Sequence, residues 1–357
     1  MSPAPTCVDL DDAGALLDAD RDGLLRASAT AGAQVRATGA AVEEGALESV
    51  AGGQRPRSVI WLAGRGPAAS AGDMLIGALG ATAAEPLVCA AQVPPWIGPL
   101  DVLVVAGDDP GDAALVSAAA VAVRRGARVV VIAPFEGPLR EAAAGRAAVL
   151  EPRMWAPEDF GLCRYLAAGL ATMAAVDPAI EVDLAALADE LDAEALRNSA
   201  AREVFTNPGK ALAERISGRP VVLAGDSPAT LALARHGSAV LLRIAGRPVA
   251  ATGLGDALVA LRRGVAAGFS DPVEALFHDE QIDGPMPGRP RVVALTLAEE
   301  RAVLTARTAG IDDVDLLGAE DVGADSARPL AGRAEQQLAT LALRLEMAAV
   351  YLKLAGG

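Results

Sequence analysis

Residues 59–75 read VIWLAGRGPAASAGDML and contain the clearest fold signal of the sequence. Its apolar run, VIWLA, ends at Gly64 and Gly66, which is typical of a buried strand in a parallel sheet. Small and apolar side chains with helical spacing follow over residues 68–79. A strand, a glycine turn and a helix in this order predict the first unit of a doubly wound α/β domain.

The same alternation extends outward from this segment. In the first half, further strands are predicted at residues 86–91, 101–106 and 127–133, with a helix over 112–125. Residues 157–203 are predicted to be helical. The pattern then restarts, with strands predicted at 219–224, 239–244, 248–252 and 291–296 and a final helix at 331–354. Strands that alternate with helices favour parallel sheets with right-handed crossovers.

Length and pattern together predict two domains in the 357 residues. Each is expected to be a doubly wound parallel sheet in an αβα sandwich. The predicted parts are an N-terminal helical segment (1–50), a first domain (51–156), bridging helices (157–206) and a second domain with the C-terminal helix (207–357). Residues 279–290, DEQIDGPMPGRP, are rich in glycine and proline and are predicted to form an exposed loop.

The net charge of −15 argues against two classes of partner. An acidic surface repels phosphate backbones and anionic lipid, so we expect neither nucleic acid nor a membrane as partner. The three cysteines show no CxxC spacing, which predicts neither a disulfide frame nor a zinc site, and Cys89 and Cys163 are expected to be buried. No signal peptide or bilayer-length apolar run is visible, so we expect a cytoplasmic protein, without metal or cofactor.

The glycine turn also fits a nucleotide-binding pattern. Gly64, Gly66 and Ala69 match the loose dinucleotide motif G-x-G-x-x-A. However, Pro67 removes a backbone donor where a pyrophosphate would need one. Glu85 precedes the second predicted strand, whereas a ribose-binding acid belongs after it. A structural turn is therefore favoured, and a nucleotide-binding enzyme of another doubly wound family stays open as an alternative.

Residues 59–75 also resemble the G-M-G-G-S-A-x-G-G-D-L-L motif of bifunctional phosphoglucose/phosphomannose isomerases. These enzymes belong to the sugar isomerase (SIS) superfamily and have two flavodoxin-like domains per chain. Residues 101–133 resemble the family's strand, phosphate loop, helix and strand, and residues 207–213 (NPGKALA) resemble its N-P-A-K-x-L-A run. The resemblance covers nearly the whole chain. It implies an SIS-type fold, a sugar phosphate or other carbohydrate derivative as ligand, and a homodimer.

The resemblance also implies a set of ligand-binding positions. They lie in the glycine turn and the helix after it (Gly64, Gly66, Ala68 and Gly72), in the acidic loop (Asp108 and Asp109) and at Arg153. Isomerase chemistry needs phosphate donors, a carboxylate that shuttles a proton and an acid or base that opens the sugar ring. The family's turn serine falls on Ala68, and its serine- and threonine-rich loop falls on residues 106–111 (AGDDPG). Its glutamate falls on Leu242 and its histidine on Asp256.

These losses favour a catalytically inactive family member, which binds a carbohydrate derivative or a partner enzyme of sugar-phosphate metabolism. The acidic loops 107–112 and 312–325 are candidate contact surfaces. The alternative is an active isomerase on glucose 6-phosphate or mannose 6-phosphate. Asp256 would then carry the proton, and Arg153, Arg243 or Arg247 would hold the phosphate.

Three other polar side chains are interpreted as structural. His236 is expected at the surface or as a cap in a turn between helix and strand. His278 is expected to be solvated beside the predicted loop. Lys210 is expected to cap or decorate the start of a helix.

Overall fold

A computed structural model describes residues 8–263, 289–320 and 333–356, which form two parallel-sheet domains. The first sheet has the order β2-β1-β3-β4-β5 and comprises β1 (Ser58–Ala63), β2 (Leu87–Cys89), β3 (Asp101–Ala106), β4 (Arg128–Ile132) and β5 (Ala147–Val149). The second sheet has the order β7-β6-β8-β9 within the described residues and comprises β6 (Val221–Gly225), β7 (Ala250–Gly253), β8 (Arg291–Leu295) and β9 (Val314–Leu317). All their pairings are parallel, which confirms the predicted two-domain α/β class.

Helices cover both faces of each sheet. In chain order they are α1 (Ala13–Ala19), α2 (Leu24–Ser28), α3 (Ala31–Glu43), α4 (Pro67–Leu79), α5 (Ala113–Arg124), α6 (Gly137–Ala143), α7 (Leu162–Val176), α8 (Leu184–Arg197), α9 (Pro208–Ser217), α10 (Pro228–Ala245), α11 (Leu254–Arg262), α12 (Arg301–Thr308) and α13 (Ala334–Gly356). Helices α5 and α6 cover the outer face of the first sheet, and α11 and α12 that of the second. The remaining helices form one large core between the two sheets.

The C-terminal helix α13 lies in the middle of this core. Every residue from Gln337 to Leu352 is buried. A helix that is buried on all sides belongs to the interior of a protein, and α13 packs against α8, α9 and α10. The final helix predicted from the sequence is therefore a central part of the core.

The strand predicted at residues 239–244 is wrong, because this run is the last part of α10. Val240, Leu241 and Ile244 are buried while Leu242 and Arg243 are exposed, which is a helical rather than an alternating period. A short apolar run does not distinguish a strand from a buried helix. The helix begins at a capping box, in which the side chains of Ser227 and Thr230 satisfy backbone donors.

Three side chains lie in environments that the sequence did not predict. His236 is inside α10 and only 1% exposed, since it faces α13 rather than a turn. Cys89 is exposed at the end of the short edge strand β2. Lys210 does lie at the start of α9, but it is buried, and its Nζ donates to the carbonyl oxygens of Ala200 and Arg202 at 2.8 and 2.7 Å. His278 and residues 279–290 lie outside the described residues.

Candidate functional site

The carboxyl edge of the first sheet contains a topological switch point between β1 and β3. The chain leaves β1 for β2 on one side, and leaves β3 for β4 on the other. Ligands of doubly wound proteins bind at such a point. The glycine turn after β1 and the acidic loop after β3 meet here, and the Gly64 N–H donates to the Ala106 carbonyl oxygen at 2.8 Å.

The glycine turn is shaped as much by packing as by any ligand. Gly66 has a φ of +73° and directly precedes α4, a backbone conformation that favours glycine. Ala68 is fully buried, and its carbonyl oxygen accepts the Trp61 Nε1–H at 3.0 Å. A Cβ on Gly72 would lie 2.2 Å from Cδ1 of Trp61, so this glycine allows α4 to approach β1 closely. Ala68 and Gly72 thus face the core rather than open space.

Carboxylates occupy the open side of the turn. A Cβ on Gly64 would lie 3.6 Å from Oδ2 of Asp112, and a Cβ on Gly66 would lie 3.2 Å from Oε1 of Glu158. A phosphate held over these two glycines would therefore meet two negative groups. At about 4 Å, each repels a unit negative charge by about 1 kcal/mol in water and by about 4 kcal/mol at the effective dielectric of a protein surface.

The acidic loop after β3 satisfies its own backbone donors. Oδ1 of Asp109 accepts the Gly111 N–H at 2.7 Å. Asp112 is the N-cap of α5, and its Oδ1 accepts the Ala114 N–H at 2.8 Å. Free N–H groups at the start of a helix are an anion site, but here the chain's own carboxylates take this place.

Beside these loops is an open cleft of about 410 Å³. Its lining comes from α3, the loop after β3, the segment after β5 and the start of α7. The residues that matter for its chemistry are Gln34, Asp108, Arg153, Trp155, Glu158 and Arg164. Trp155 is 84% exposed, and an exposed aromatic ring beside a polar cleft offers a flat surface to a ligand.

Arg164 is the central charge of the cleft. It is only 7% exposed, and its Nη2 donates to Oδ1 of Asp108 at 2.7 Å. Its guanidinium carbon lies 4.1 Å from the ring centre of Tyr165. Burial raises the pKa of the Tyr165 hydroxyl, which therefore stays protonated. Gln34, which is 2% exposed, is fixed by its Nε2, which donates to the Phe160 carbonyl oxygen at 2.9 Å.

Four polar atoms around this floor have no hydrogen-bond partner within the described part of the chain. They are Oε1 of Gln34, Oδ2 of Asp108, Nη1 of Arg164 and the Tyr165 hydroxyl. Buried polar atoms without partners are rare, and each unmade hydrogen bond costs about 1–3 kcal/mol. Three of the four residues line the cleft. The Tyr165 hydroxyl lies near Asp108 and Arg164, and both side chains act on its pKa. The set that indicates a site for a polar ligand therefore consists of the atoms of Gln34, Asp108 and Arg164.

The predicted arginines are already engaged in ion pairs or lie elsewhere. Arg153 lines the cleft, but both its terminal nitrogens donate to Glu44, at 2.8 and 2.5 Å. Arg243 reaches the glycine turn from α10, and its Nε donates to Oδ1 of Asp159 at 2.6 Å. Arg247 precedes β7 and therefore lies at the amino edge of the second sheet, away from the cleft.

Asp256 lies in the first turn of α11, after β7, and does not line the cleft. The structure therefore brings together Gly64, Gly66, Asp108, Asp109 and Arg153, and it separates Asp256 from them within the chain.

Sequence reasoning missed Gln34, Trp155 and Arg164. For Arg164 a signal existed: it is the one charged residue in the apolar run from Leu162 to Met173, and a buried charge requires a partner or a function. Gln34 is separated from Arg164 by 130 positions, and only the packing of α3 against α7 brings both to one cleft. Trp155 lies in a segment without regular structure, where no periodicity marks it.

Among the residues that the structure describes, the carboxyl edge of the second sheet offers no comparable set of unpartnered polar atoms. The N–H groups of Asp226 and Ser227 both donate to Oγ1 of Thr230 at 3.1 Å. Asp226 is also paired with Arg307. A Cβ on Gly77 of α4 would lie 2.5 Å from the Ala229 nitrogen, so α4 covers the start of α10.

Two classes of site are not found within the described ranges. No group of three or more His, Cys, Asp or Glu side chains in residues 8–263, 289–320 and 333–356 is placed to hold a metal ion. In the same ranges, no helix combines the length and the apolar character needed to cross a membrane.

Solved structures share this architecture over nearly the whole chain. Tagatose-6-phosphate ketose/aldose isomerase from Escherichia coli superposes with a TM-score of 0.59 at 16% identity, covering 99% of this chain and 96% of that chain. The C-terminal domain of glucosamine-fructose-6-phosphate aminotransferase from Francisella tularensis superposes with a TM-score of 0.55 at 12% identity, covering 93% of this chain and 96% of that one. No protein-family profile and no curated protein matches the sequence. The chain therefore has the two-domain fold of the SIS-type phosphosugar isomerases.

Proposed function

We propose that this chain binds a carbohydrate derivative in the cleft of Gln34, Asp108, Trp155 and Arg164 and does not catalyse conventional aldose–ketose isomerisation. It would be a divergent relative of the phosphoglucose/phosphomannose isomerases. The observation that carries the proposal is the set of unpartnered polar atoms on Gln34, Asp108 and Arg164, at the switch point of an SIS-type fold. Sugar hydroxyls both donate and accept, so a sugar could satisfy all three groups.

The shape of the cleft supports a sugar over a smaller polar molecule. Its volume of about 410 Å³ falls within the range of small-molecule sites, about 300–1,000 Å³. The exposed ring of Trp155 lies on its rim. A sugar ring has one apolar C–H face and a polar edge, and this combination fits an aromatic surface next to fixed charges.

The proton-transfer groups of an isomerase are poorly placed. Leu242, where the family glutamate falls, is 55% exposed on α10. Of the two carboxylates that line the cleft, Asp108 is held by Arg164, and only Glu158 makes no ion pair among the described residues. General-base catalysis contributes about 10²–10⁴-fold to a rate. Without a positioned base and with the phosphate donors capped, we expect no turnover.

The first test measures binding by tryptophan fluorescence. The chain has three tryptophans, and Trp155 is the one that lines the cleft. We expect glucose and glucosamine, titrated to tens of millimolar, to change the emission of the wild type. Trp155→Ala should lose this change and weaken binding in calorimetry about five- to tenfold, in line with a stacking loss of about 1 kcal/mol. Trp96→Phe is the matched control. Unchanged calorimetry for all sugars would contradict the proposal.

The second test is a coupled isomerase assay at high protein concentration. Formation of fructose 6-phosphate would be followed from glucose 6-phosphate and from mannose 6-phosphate, and none is expected. Turnover that Glu158→Gln abolishes would show that the cleft is an active site. Turnover that Asp256→Asn abolishes would instead support Asp256 as a replacement proton carrier. Either result would overturn the proposed inactivity.

Two further expectations remain part of this proposal: the homodimer that the resemblance implies, and the partner enzyme that the loss of catalytic groups favours. Sedimentation equilibrium of the full chain measures the oligomeric state directly. A monomer at micromolar concentration would remove the homodimer from the proposal, while it would leave sugar binding in the cleft unaffected.

A further inference from the structure

The charges around the cleft are unbalanced. Acidic groups surround the glycine turn and the cleft floor: Asp108, Asp109, Asp112, Glu158 and Asp159. The basic groups at the same place are Arg65, Arg164 and Arg243. Two of these arginines are already bound, Arg164 to Asp108 and Arg243 to Asp159. Arg153 is neutralised by Glu44.

Three carboxylates at this place have no ion-pair partner among the described residues. Asp109 and Asp112 accept backbone N–H groups, and Glu158 lies exposed over Gly66. The only positive group near them without an ion pair among the described residues is the exposed guanidinium of Arg65, in the glycine turn itself. A phosphate ester placed on the glycine turn would therefore meet a local excess of negative charge, and it would find the start of α5 already capped.

The unpartnered atoms point to a ligand that donates hydrogen bonds. Two of the three that belong to cleft-lining residues are acceptors, namely Oδ2 of Asp108 and Oε1 of Gln34. Asp108 lies in a partly buried position, where an ionised carboxylate favours a charged or strongly polarised donor. Nη1 of Arg164 is the single donor and requires one ligand oxygen. A ligand with hydroxyl or ammonium groups can donate to the two acceptors, and its oxygens can accept from Arg164. A phosphate dianion can only accept from Arg164.

We infer that the cleft selects sugars that carry hydroxyl or ammonium groups and no phosphate ester. This inference rests on the proposed function, because it assumes that the cleft binds a sugar. It reverses the preference expected from the phosphosugar fold. Glu158 is the residue that sets the discrimination, since its carboxylate stands where the turn would otherwise present its backbone to an anion.

The test compares matched pairs of sugars on the full chain by calorimetry. The pairs are glucose with glucose 6-phosphate, and glucosamine with glucosamine 6-phosphate. We expect the unphosphorylated member of each pair to bind at least about tenfold more tightly, the size of effect that one like charge gives at the cleft edge. Glu158→Gln should strengthen the binding of the phosphate ester and so reduce this difference in affinity at least about threefold. Glu214→Gln, an equal charge change at an exposed position of α9, should leave the gap unchanged.

The outcomes separate the two proposals. Phosphate esters that bind as tightly as their parent sugars, or more tightly, would overturn this inference and leave sugar binding in place. A gap that Glu158→Gln does not narrow would also overturn it. Loss of phosphate-ester binding in Arg65→Gln would then identify Arg65 as the group that outweighs the carboxylates. Failure of all four sugars to bind would contradict the proposed function itself.

Discussion

Arg164 and Asp108 join the start of α7 to the loop after β3 through one hydrogen bond of 2.7 Å. The Arg164 side chain is 9% exposed and that of Asp108 is 32% exposed. A second pair, Arg243 with Asp159, has a similar distance of 2.6 Å, but both its side chains are 35% exposed. The cleft thus contains one shielded ion pair, with a solvated pair of the same chemistry close to it.

Breaking these two pairs should cost different amounts of stability. Arg164→Met leaves the Asp108 carboxylate without its cation in a partly buried place, and we expect a loss of about 2 kcal/mol in the free energy of unfolding. Arg243→Met breaks a solvated pair and should cost less than about 1 kcal/mol. Denaturant unfolding of both variants measures the difference. Equal losses would show that the Arg164 pair is as well solvated as the other one.

The contact between the two domains depends on a small residue in α4. A Cβ on Gly77 would lie 2.5 Å from the Ala229 nitrogen and 2.6 Å from its Cα, both of which are backbone atoms at the start of α10. Gly77→Ala should therefore destabilise the protein by about 1–3 kcal/mol, because helices in contact must move apart. Gly255→Ala, where a Cβ would meet nothing within 4 Å, should stay within about 0.5 kcal/mol. Thermal unfolding compares them. A Gly77→Ala variant as stable as the wild type would show that α4 and α10 are not in this contact.

The first domain could be predicted from the sequence because its strands are short, continuous apolar runs with glycine at their ends. The runs at 57–63, 101–106 and 127–133 correspond to β1, β3 and β4. The run at 239–244 has the same composition, yet it belongs to α10. What distinguishes this run is its long-range packing, because one face of the helix lies against α13 and the opposite face is in solvent. A pattern of six residues does not contain this information.

The site was only partly predictable, for a related reason. The glycine turn and the acidic loop follow directly from strand ends, so Gly64, Gly66 and Asp108 could be placed at one edge. The floor of the cleft is made by α3 and α7, which the sequence marks only as helical. Which side chains of a helix face a cleft depends on how the helix packs. Arg164 and Gln34 therefore became visible as site residues only in the folded chain.

A buried pair between α10 and α13 gives the fold a pH dependence. His236 Nε2 and Glu346 Oε1 are 3.2 Å apart, and both side chains are 1% exposed. Burial raises the pKa of Glu346 above its ordinary 4.5, although the hydrogen bond from His236 acts in the opposite direction. Asp159 and Arg243 also act on this carboxyl, one raising and one lowering its pKa. The thiol of Cys163 is a further titratable neighbour. Burial is the largest cause that raises its pKa, and the charge of Glu346 raises it further.

The sign of the effect follows from proton binding. In the unfolded chain Glu346 loses its proton near pH 4.5, whereas in the folded chain it keeps the proton to a higher pH. The folded state then binds more protons, so the contribution of this group to stability is full below pH 4.5 and is lost as the pH rises through the folded pKa. Glu346→Gln keeps the size and polarity of the side chain but cannot ionise. Its stability relative to the wild type should therefore increase with pH above 4.5.

Denaturant unfolding of the wild type and Glu346→Gln at a series of pH values between 4.5 and 7.5 measures this difference directly. Glu214→Gln, which removes an exposed carboxylate, is the control for the general effect of charge and should run parallel to the wild type. A Glu346→Gln variant that instead loses stability relative to the wild type as the pH rises would show that Glu346 is ionised in the folded chain. The pair would then hold α10 to α13 through a charged carboxylate, rather than as a neutral hydrogen bond.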